Sequence, residues 1–180
     1  MSARAARRTT KTTATTKTKP SGGRLRYNVA YLPDPPKIER RKSGVHGWGV
    51  FALETIPKNK RIIDYAGEKI TAKQSTPREV RYLKKGHIWC FTLNRNWAID
   101  AAVDGNAARF INHSCAPNCD AVVEHGRIWI ETIREIAPGE ELAYDYAYVL
   151  EERHTPAAKR RFPCHCGAPT CRGTILAKKR

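Results

Sequence analysis

The chain has 180 residues, room for one ordinary domain with short appendages, and its 33 Lys and Arg against 17 Asp and Glu give a formal net charge of +16. This charge indicates an anionic partner such as nucleic acid or a nucleic-acid-bound substrate, although a soluble basic surface without a specific partner has the same composition. No apolar run is long enough for a signal peptide or a membrane span, which argues against secreted and membrane-embedded classes.

The first segment, residues 1–36, is a basic tail of low complexity. Its first thirty residues contain eight basic and no acidic side chains, with almost no large apolar group. Such a segment buries too little surface to offset its ordering entropy, so we predict that it is disordered. Its composition fits nucleic-acid binding and also fits an organellar transit peptide, although an amphipathic helix there would have a weak apolar face.

From Ile38 onwards the sequence has short runs of β-branched and aromatic residues that alternate with glycine and proline turns. Residues 76–85 form the best helix candidate, with Pro77 suited to its first turn, and residues 124–127 predict a hairpin turn. We predict a mostly β domain with short helices, and the lack of alternating β and α units disfavours a doubly wound nucleotide fold. The predicted strands lie within residues 48–54, 61–70, 89–94, 97–102, 121–136 and 141–150.

Six cysteines divide into a C-terminal cluster and three scattered residues. Cys164, Cys166 and Cys171 fall within eight residues, in a stretch whose glycine and prolines allow the chain to wrap around an ion. An intracellular, reducing location favours metal over disulfides for such a cluster. A structural zinc site needs four ligands, so a fourth must come from elsewhere, and His165 would point away if both its neighbours point inward.

The three other cysteines are candidates for the fourth ligand. Cys90 lies in an apolar, strand-like run and is interpreted as a small buried hydrophobic residue. Cys115 and Cys119 lie in the turn-rich segment 109–120, and a loop there can bend to meet the C-terminus. The residues alone leave the choice between these two open.

The run at 142–150 contains tyrosines at alternate positions, namely Tyr144, Tyr146 and Tyr148. In a strand these side chains would share one face, and Asp145 would point the other way into a structural hydrogen bond. Taken alone, this pattern is compatible with an ordinary sheet surface.

Five motifs occur in order between Ile38 and Leu176. They are SGVHGWGVFA at 43–52, IIDYAGE at 62–68, ARFINHSCAPNC at 108–119, GEELAYDY at 139–146 and CHCGAPTCRG at 164–173. With these motifs the chain resembles the SET domain protein-lysine methyltransferases that carry a post-SET zinc segment. The resemblance implies small curved sheets with a knot-like crossing, a SET domain over residues 37–150, a linker over 151–163 and a post-SET segment over 164–180.

The same resemblance implies the site residues. It makes Cys115 the fourth zinc ligand beside Cys164, Cys166 and Cys171, and it leaves Cys119 a structural role. Tyr146 matches the catalytic tyrosine whose hydroxyl lies beside the transferring methyl, and Tyr144 matches the position that limits how many methyls fit. The residues implied to bind S-adenosylmethionine are Gly47, Trp48, Gly49, Arg109, Phe110, Asn112 and His113.

Two positions depart from the pattern of the family. Trp89 stands where many relatives have a tyrosine of the lysine channel, so we expect it to alter the lining of that channel. Thr174 replaces what is often an aromatic residue in the post-SET segment, so we expect a less tightly packed lid over the cofactor.

The implied function is methyl transfer from S-adenosylmethionine to the lysine side chain of a protein substrate, such as a histone or a histone-like protein. The alternative is a zinc-stabilised, basic nucleic-acid-binding module without catalysis. We expect a monomer with no membrane association, in the nucleus or on a chromosome in a eukaryote and in the cytoplasm or nucleoid in a bacterium. The tail lysines Lys11, Lys17 and Lys19 lie among small residues, so the tail is either a substrate of its own domain or only a nucleic-acid-binding segment.

Overall fold

A computed structural model describes residues 32–178, so the predicted disordered tail 1–36 and its three lysines lie almost wholly outside the described residues. Within that range the chain is built from short strands and few helices, which confirms the predicted mostly β class. The strands are β1 (Ile38–Lys42), β2 (Trp48–Ala52), β3 (Arg61–Asp64), β4 (Glu68–Thr71), β5 (Cys90–Thr92), β6 (Trp97–Asp100), β7 (Asn112–His113), β8 (Cys119–Glu124), β9 (Arg127–Thr132) and β10 (Ala143–Tyr144). The helices are α1 (Ala72–Leu83), α2 (Pro156–Arg161) and a 3-10 helix (Ala107–Phe110).

The strands form several small sheets rather than one large sheet. β1 pairs with β2, and the two three-stranded sheets have the orders β3-β9-β8 and β4-β6-β5, all antiparallel. β7 and β10 pair in parallel, with Ala143 opposite Asn112 and Tyr144 opposite His113. This last pairing brings together the two motifs that the sequence analysis assigned to one site.

A core rich in isoleucine lies between the sheets. β9 buries successive apolar side chains because the core covers one face and neighbouring segments cover the other. Packing of β-branched side chains fixes the positions of the strand ends, and the loops that leave those ends carry the site. Fully buried members of the core include Val50, Ile62, Ile99, Ile111, Ile128, Ile130, Ile136 and Leu142.

A buried polar network attaches α1 to the sheet of β4 and β6. The Arg78 guanidinium donates to Asp100 Oδ2 at 2.7 Å and to Glu68 Oε2 at 2.5 Å. The Tyr82 hydroxyl donates to the same Asp100 oxygen at 2.9 Å. Because Asp100 is fully buried, removing Arg78 would leave its carboxylate without this cation, so α1 is held in one orientation.

Two local predictions for α1 and the hairpin have different outcomes. α1 begins at Ala72, earlier than predicted, because Thr71 and Gln74 form a capping box. Pro77 therefore lies inside the helix rather than in its first turn, and the prediction for Pro77 was wrong. The predicted hairpin turn is confirmed, since β8 pairs with β9 and His125 and Gly126 have φ of 48° and 74°.

The C-terminal third contains less strand and more helix than predicted. The strand expected over residues 141–150 is limited to β10, because the chain turns after Tyr144. Ala147 has φ of 44°, and its N–H donates to Asp145 Oδ1 at 3.0 Å. The segment 151–163, predicted as a linker, contains α2, whose N-cap is Thr155. Among residues 32–178, no helix combines the length and apolar character that crossing a membrane requires.

Candidate active site and metal centre

Two cavities meet at Tyr146 and Ile88, which line both of them. The first has a volume of about 460 Å³ and the second about 360 Å³. Six of the seven residues that the resemblance assigned to the cofactor line the first cavity, namely Gly47, Trp48, Arg109, Phe110, Asn112 and His113. The second cavity is walled largely by aromatic side chains, namely Tyr65, Phe91, Tyr144, Tyr146 and Tyr148.

Asn112 fixes the turn at one end of the first cavity. Its side-chain amide donates to the Trp48 carbonyl at 3.0 Å and to Glu141 Oε1 at 2.7 Å. The Ser43 hydroxyl also donates to Glu141, at 2.8 Å. The Glu141 carboxylate therefore ties the turn at residues 43–48 to Asn112 in β7. Gly47 has φ of 50°, a backbone conformation that glycine adopts without steric cost.

Gly49 packs closely against Glu141. A Cβ at this position would overlap the Glu141 carboxylate that Ser43 and Asn112 hold in place. Gly49 is not among the residues that line the first cavity, and its contact with the cofactor stays a prediction. Sequence reasoning missed Glu141, although it lies inside the GEELAYDY motif, because nothing in that motif identifies its partners in the turn.

His113 links the segment that follows β10 to the cysteine cluster. The Tyr146 N–H donates to its Nδ1 at 3.1 Å, and its Nε2 lies 3.4 Å from Cys115 Sγ. Burial lowers the pKa of His113, with Asp145 acting in the opposite direction. A neutral ring that accepts at Nδ1 carries its proton on Nε2, which then faces the sulfur.

Tyr146 lines both cavities, and its hydroxyl donates to the Ile111 carbonyl at 2.8 Å. Burial raises its pKa well above the usual range, so it stays protonated near neutral pH. Because its proton is engaged by Ile111, the oxygen lone pairs remain free to accept a hydrogen bond from a group at the junction.

The second cavity contains stacked and tilted rings, and Glu79 and Thr92 are the non-aromatic side chains with oxygen atoms in its lining. The Tyr144 ring lies 4.9 Å from that of Tyr146 and 6.0 Å from that of Phe91. All three alternate tyrosines line this cavity although they do not share a strand. Cys90, expected to be buried, is only partly so, because β5 is an edge strand and leaves the thiol in the wall of the cavity.

Trp89 lines the first cavity and not the second, and its expected effect on a lysine channel stays a prediction. Its ring stacks on that of His87, with centroids 4.2 Å apart. The Arg109 guanidinium lies 5.5 Å from the Trp89 ring and donates to the Ala101 carbonyl at 2.9 Å. Arg109 Nε is buried and has no partner among the described residues, so a polar acceptor in the first cavity would satisfy it.

The four predicted zinc ligands converge. The Sγ atoms of Cys115, Cys164, Cys166 and Cys171 all lie within 4.8 Å of one another. Cys115 Sγ lies 3.7 Å from Cys164 Sγ and 4.0 Å from Cys171 Sγ. Tetrahedral zinc with Zn–S bonds of about 2.3 Å places its sulfur atoms about 3.8 Å apart, so this geometry fits a structural zinc ion.

Arg172, which follows the last cysteine, connects this cluster to the junction. It forms a bidentate pair with Asp145 at 2.7 and 2.8 Å, and its backbone N–H donates to Cys115 Sγ at 3.4 Å. Burial alone would raise the pKa of Asp145, but the Arg172 hydrogen bonds bring it below its usual value. Asp145 thus has the structural role that was expected of it, between Tyr144 and Tyr146.

Arg172→Gln is expected to lower activity about tenfold without loss of metal, because it breaks a partly buried ion pair and leaves all four cysteines in place. Arg172→Lys should recover only part of the activity, since lysine lacks the planar fork. Activity and metal content measured on the same samples check this. Arg134→Gln, which removes an ion pair away from both cavities, is the control, and equal losses in both variants would contradict the role of Arg172.

The post-SET segment also walls the first cavity, through Cys164, His165 and Ile175. Phe162 and Pro163, at the end of the preceding linker, line it as well. Thr174, where a looser lid was expected, is buried, and its hydroxyl donates to the Phe162 carbonyl at 2.7 Å. Thr174 therefore holds the lid through a hydrogen bond where an aromatic residue would pack.

Comparison with known proteins gives a consistent result. Residues 47–147 match the SET domain family model. The chain is 42% identical over 157 residues to a histone-lysine N-methyltransferase, H3 lysine-4 specific, of Chaetomium globosum, which covers 84% of this chain and 14% of that protein. The proteins of the same name from Saccharomyces cerevisiae and Schizosaccharomyces pombe are 44% and 43% identical, over 74% and 84% of this chain. The chain spans 13% and 16% of the length of these two relatives.

Proposed function

The chain belongs to the SET domain family of protein-lysine methyltransferases, and from this premise we propose that it transfers methyl groups from S-adenosylmethionine to a lysine of histone H3. One observation carries the proposal: two cavities of unlike lining share Tyr146 as a wall residue, and the Tyr146 hydroxyl is held by the Ile111 carbonyl. A transfer enzyme needs this arrangement, because donor and acceptor must enter from separate sides and meet in line. A pure binding module has no need of it.

In this proposal the cofactor occupies the first cavity. The aromatic rings of Trp48, Trp89 and Phe110 suit its adenine, and Arg109 Nε is a free donor for a polar group. When bound, S-adenosylmethionine supplies an electrophilic methyl on a sulfonium sulfur. Zinc held by the four cysteines supports the proposal structurally, because it keeps the segment 162–175 against the cavity.

The target lysine occupies the second cavity and reaches the junction from there. Aromatic walls exclude water, which lowers the pKa of the incoming ammonium and favours the neutral, nucleophilic amine. The Tyr146 oxygen accepts a hydrogen bond from that amine and aims its lone pair at the methyl. With S-adenosylmethionine bound, its methyl would pass from sulfur to the amine nitrogen that Tyr146 orients, and the methylammonium so produced would lose its proton to solvent.

The substrate assignment rests on the relatives, whose names specify H3 lysine-4. We expect the full chain, incubated with methyl-labelled S-adenosylmethionine and recombinant histones, to label H3. H3 with lysine-4 replaced by arginine should receive little label. No label on any histone would contradict the proposed function, and mass spectrometry of the same samples tests methylation of the chain's own tail.

The proposal has three further parts. The chain binds nucleic acid through its basic tail, is a monomer and acts on chromatin. Support comes from the net charge of +16 and from the histone named for the relatives. A gel shift of the full chain with duplex DNA at several salt concentrations tests the first point, since phosphate contacts weaken steeply with salt. Binding with no methyl transfer would favour the alternative, a basic module without catalysis.

Tyr144→Phe is expected to shift products from mono- and dimethyl-lysine towards trimethyl-lysine. Tyr144 is 5% exposed and lines only the second cavity, where its hydroxyl takes volume that a more methylated amine needs. The first transfer should be little affected. Intact-mass time courses on one peptide check this, and efficient trimethylation by the unaltered chain would remove Tyr144 as the limiting group.

A further inference from the structure

Glu79 is the charged side chain among the described residues that line the second cavity. It lies on α1, and Tyr148 and the exposed Val149 line the same cavity. Glu79 is itself only partly buried, so a substrate side chain can reach it from solvent.

This carboxylate has no cation of its own within residues 32–178. No Lys, Arg or His nitrogen there lies within 4.0 Å of its oxygens. Its neighbour Arg78 is turned towards Glu68 and Asp100. Burial raises the pKa of Glu79, and Tyr148 lowers it. A half-buried carboxylate that has lost water and gained no cation is stabilised when a cation arrives.

The surrounding charge makes this position unusual. With a net charge of +16, the chain as a whole repels a basic peptide. The Glu79 carboxylate in the second cavity instead attracts a basic side chain over a short distance. Such a local attraction contributes more to selectivity between peptides than to overall affinity.

We propose that Glu79 is a subsite for a second basic side chain of the substrate, an arginine or lysine close in sequence to the target lysine. The inference rests on the proposed function. The target lysine itself is a poorer occupant, because a carboxylate beside its ammonium would stabilise the proton that must leave. Glu79 is thus a specificity-determining residue that reads the sequence around the methylated lysine.

The test uses synthetic peptides with one lysine and an arginine at each nearby position, paired with peptides in which citrulline replaces the arginine. Citrulline keeps the shape of arginine and removes its charge. At one or more positions, the unaltered chain should prefer the arginine peptide in kcat/KM by about tenfold. Glu79→Gln should abolish that preference while retaining transfer to the citrulline peptide.

Two further variants complete the experiment. Glu135→Gln removes the same charge at an exposed position outside both cavities and should leave the preference intact. Glu79→Lys should favour a peptide with glutamate in place of the arginine. Equal loss on arginine and citrulline peptides in Glu79→Gln would overturn the subsite, as would the absence of any preference in the unaltered chain. Absence of transfer to every peptide would instead count against the proposed function.

Discussion

Tyr146→Phe is expected to reduce kcat for methyl transfer by about a hundredfold or more. The substitution removes the hydroxyl oxygen of a residue that lines both cavities. That oxygen is held by the Ile111 carbonyl and is the acceptor that orients the amine in the proposed mechanism. Without it the amine samples directions in which its lone pair misses the methyl, so the loss should appear in kcat more than in cofactor affinity.

Tyr82→Phe is the matched control for this experiment. It also deletes a tyrosine hydroxyl that donates a hydrogen bond, here to Asp100, but Tyr82 lines neither cavity. Each variant should lose about 1 kcal/mol of stability, since each deletes one hydrogen bond. Only Tyr146→Phe should lose turnover. A Tyr146→Phe enzyme with a near-normal rate would show that the catalytic assignment is wrong.

Removal of zinc is expected to cost the chain most of its cofactor affinity and its C-terminal order. Metal binding at such sites is worth about 10–16 kcal/mol in small zinc peptides, and four clustered thiolates repel one another without it. Three residues of the post-SET segment, Cys164, His165 and Ile175, wall the first cavity, so releasing that segment opens the cavity to water. Loss of zinc should therefore lower the melting temperature and weaken cofactor binding by about tenfold or more.

Three measurements before and after chelation check this. Metal analysis gives the zinc content, calorimetry with S-adenosylhomocysteine gives the cofactor affinity, and thermal unfolding gives the melting temperature. The purified chain should hold one zinc ion per molecule, and Cys171→Ser should hold less. Cys90→Ala is the control, because Cys90 lies outside the cluster and should not change the zinc content. Well under one zinc per unaltered chain, or unchanged cofactor binding after complete chelation, would contradict the metal assignment.

The parts of the site that were predicted from the sequence are those in which short motifs dictate local chemistry. The three clustered cysteines require a fourth ligand, and the resemblance identified Cys115, which the structure brings within 4.8 Å of the others. Asn112 and His113 likewise lie in β7, paired with β10 as the two motifs imply. These features depend on residue type and chain order, which a sequence displays directly.

The parts that were missed depend on the direction of single side chains and on distant partners. At the start of β5, successive side chains point to opposite sides of the extended chain. Trp89 therefore lines the first cavity, and its neighbour Cys90 lines the second. A shift of the strand by one residue would exchange the cavities that these two side chains line, and the composition of the strand does not fix its register. Glu141 was missed because its partners Ser43 and Asn112 are far from it in sequence. α2 has only six residues, too few for a helical period to be detected.

The central claim is that donor and acceptor enter separate cavities and meet beside the Tyr146 hydroxyl. A crystal structure of the chain with S-adenosylhomocysteine and a lysine peptide tests this most directly. We expect the cofactor's sulfur in the first cavity and the lysine Nζ at the inner end of the second, facing each other with the Tyr146 oxygen within hydrogen-bond distance of the nitrogen. A lysine bound outside the second cavity, or a cofactor outside the first, would contradict the claim.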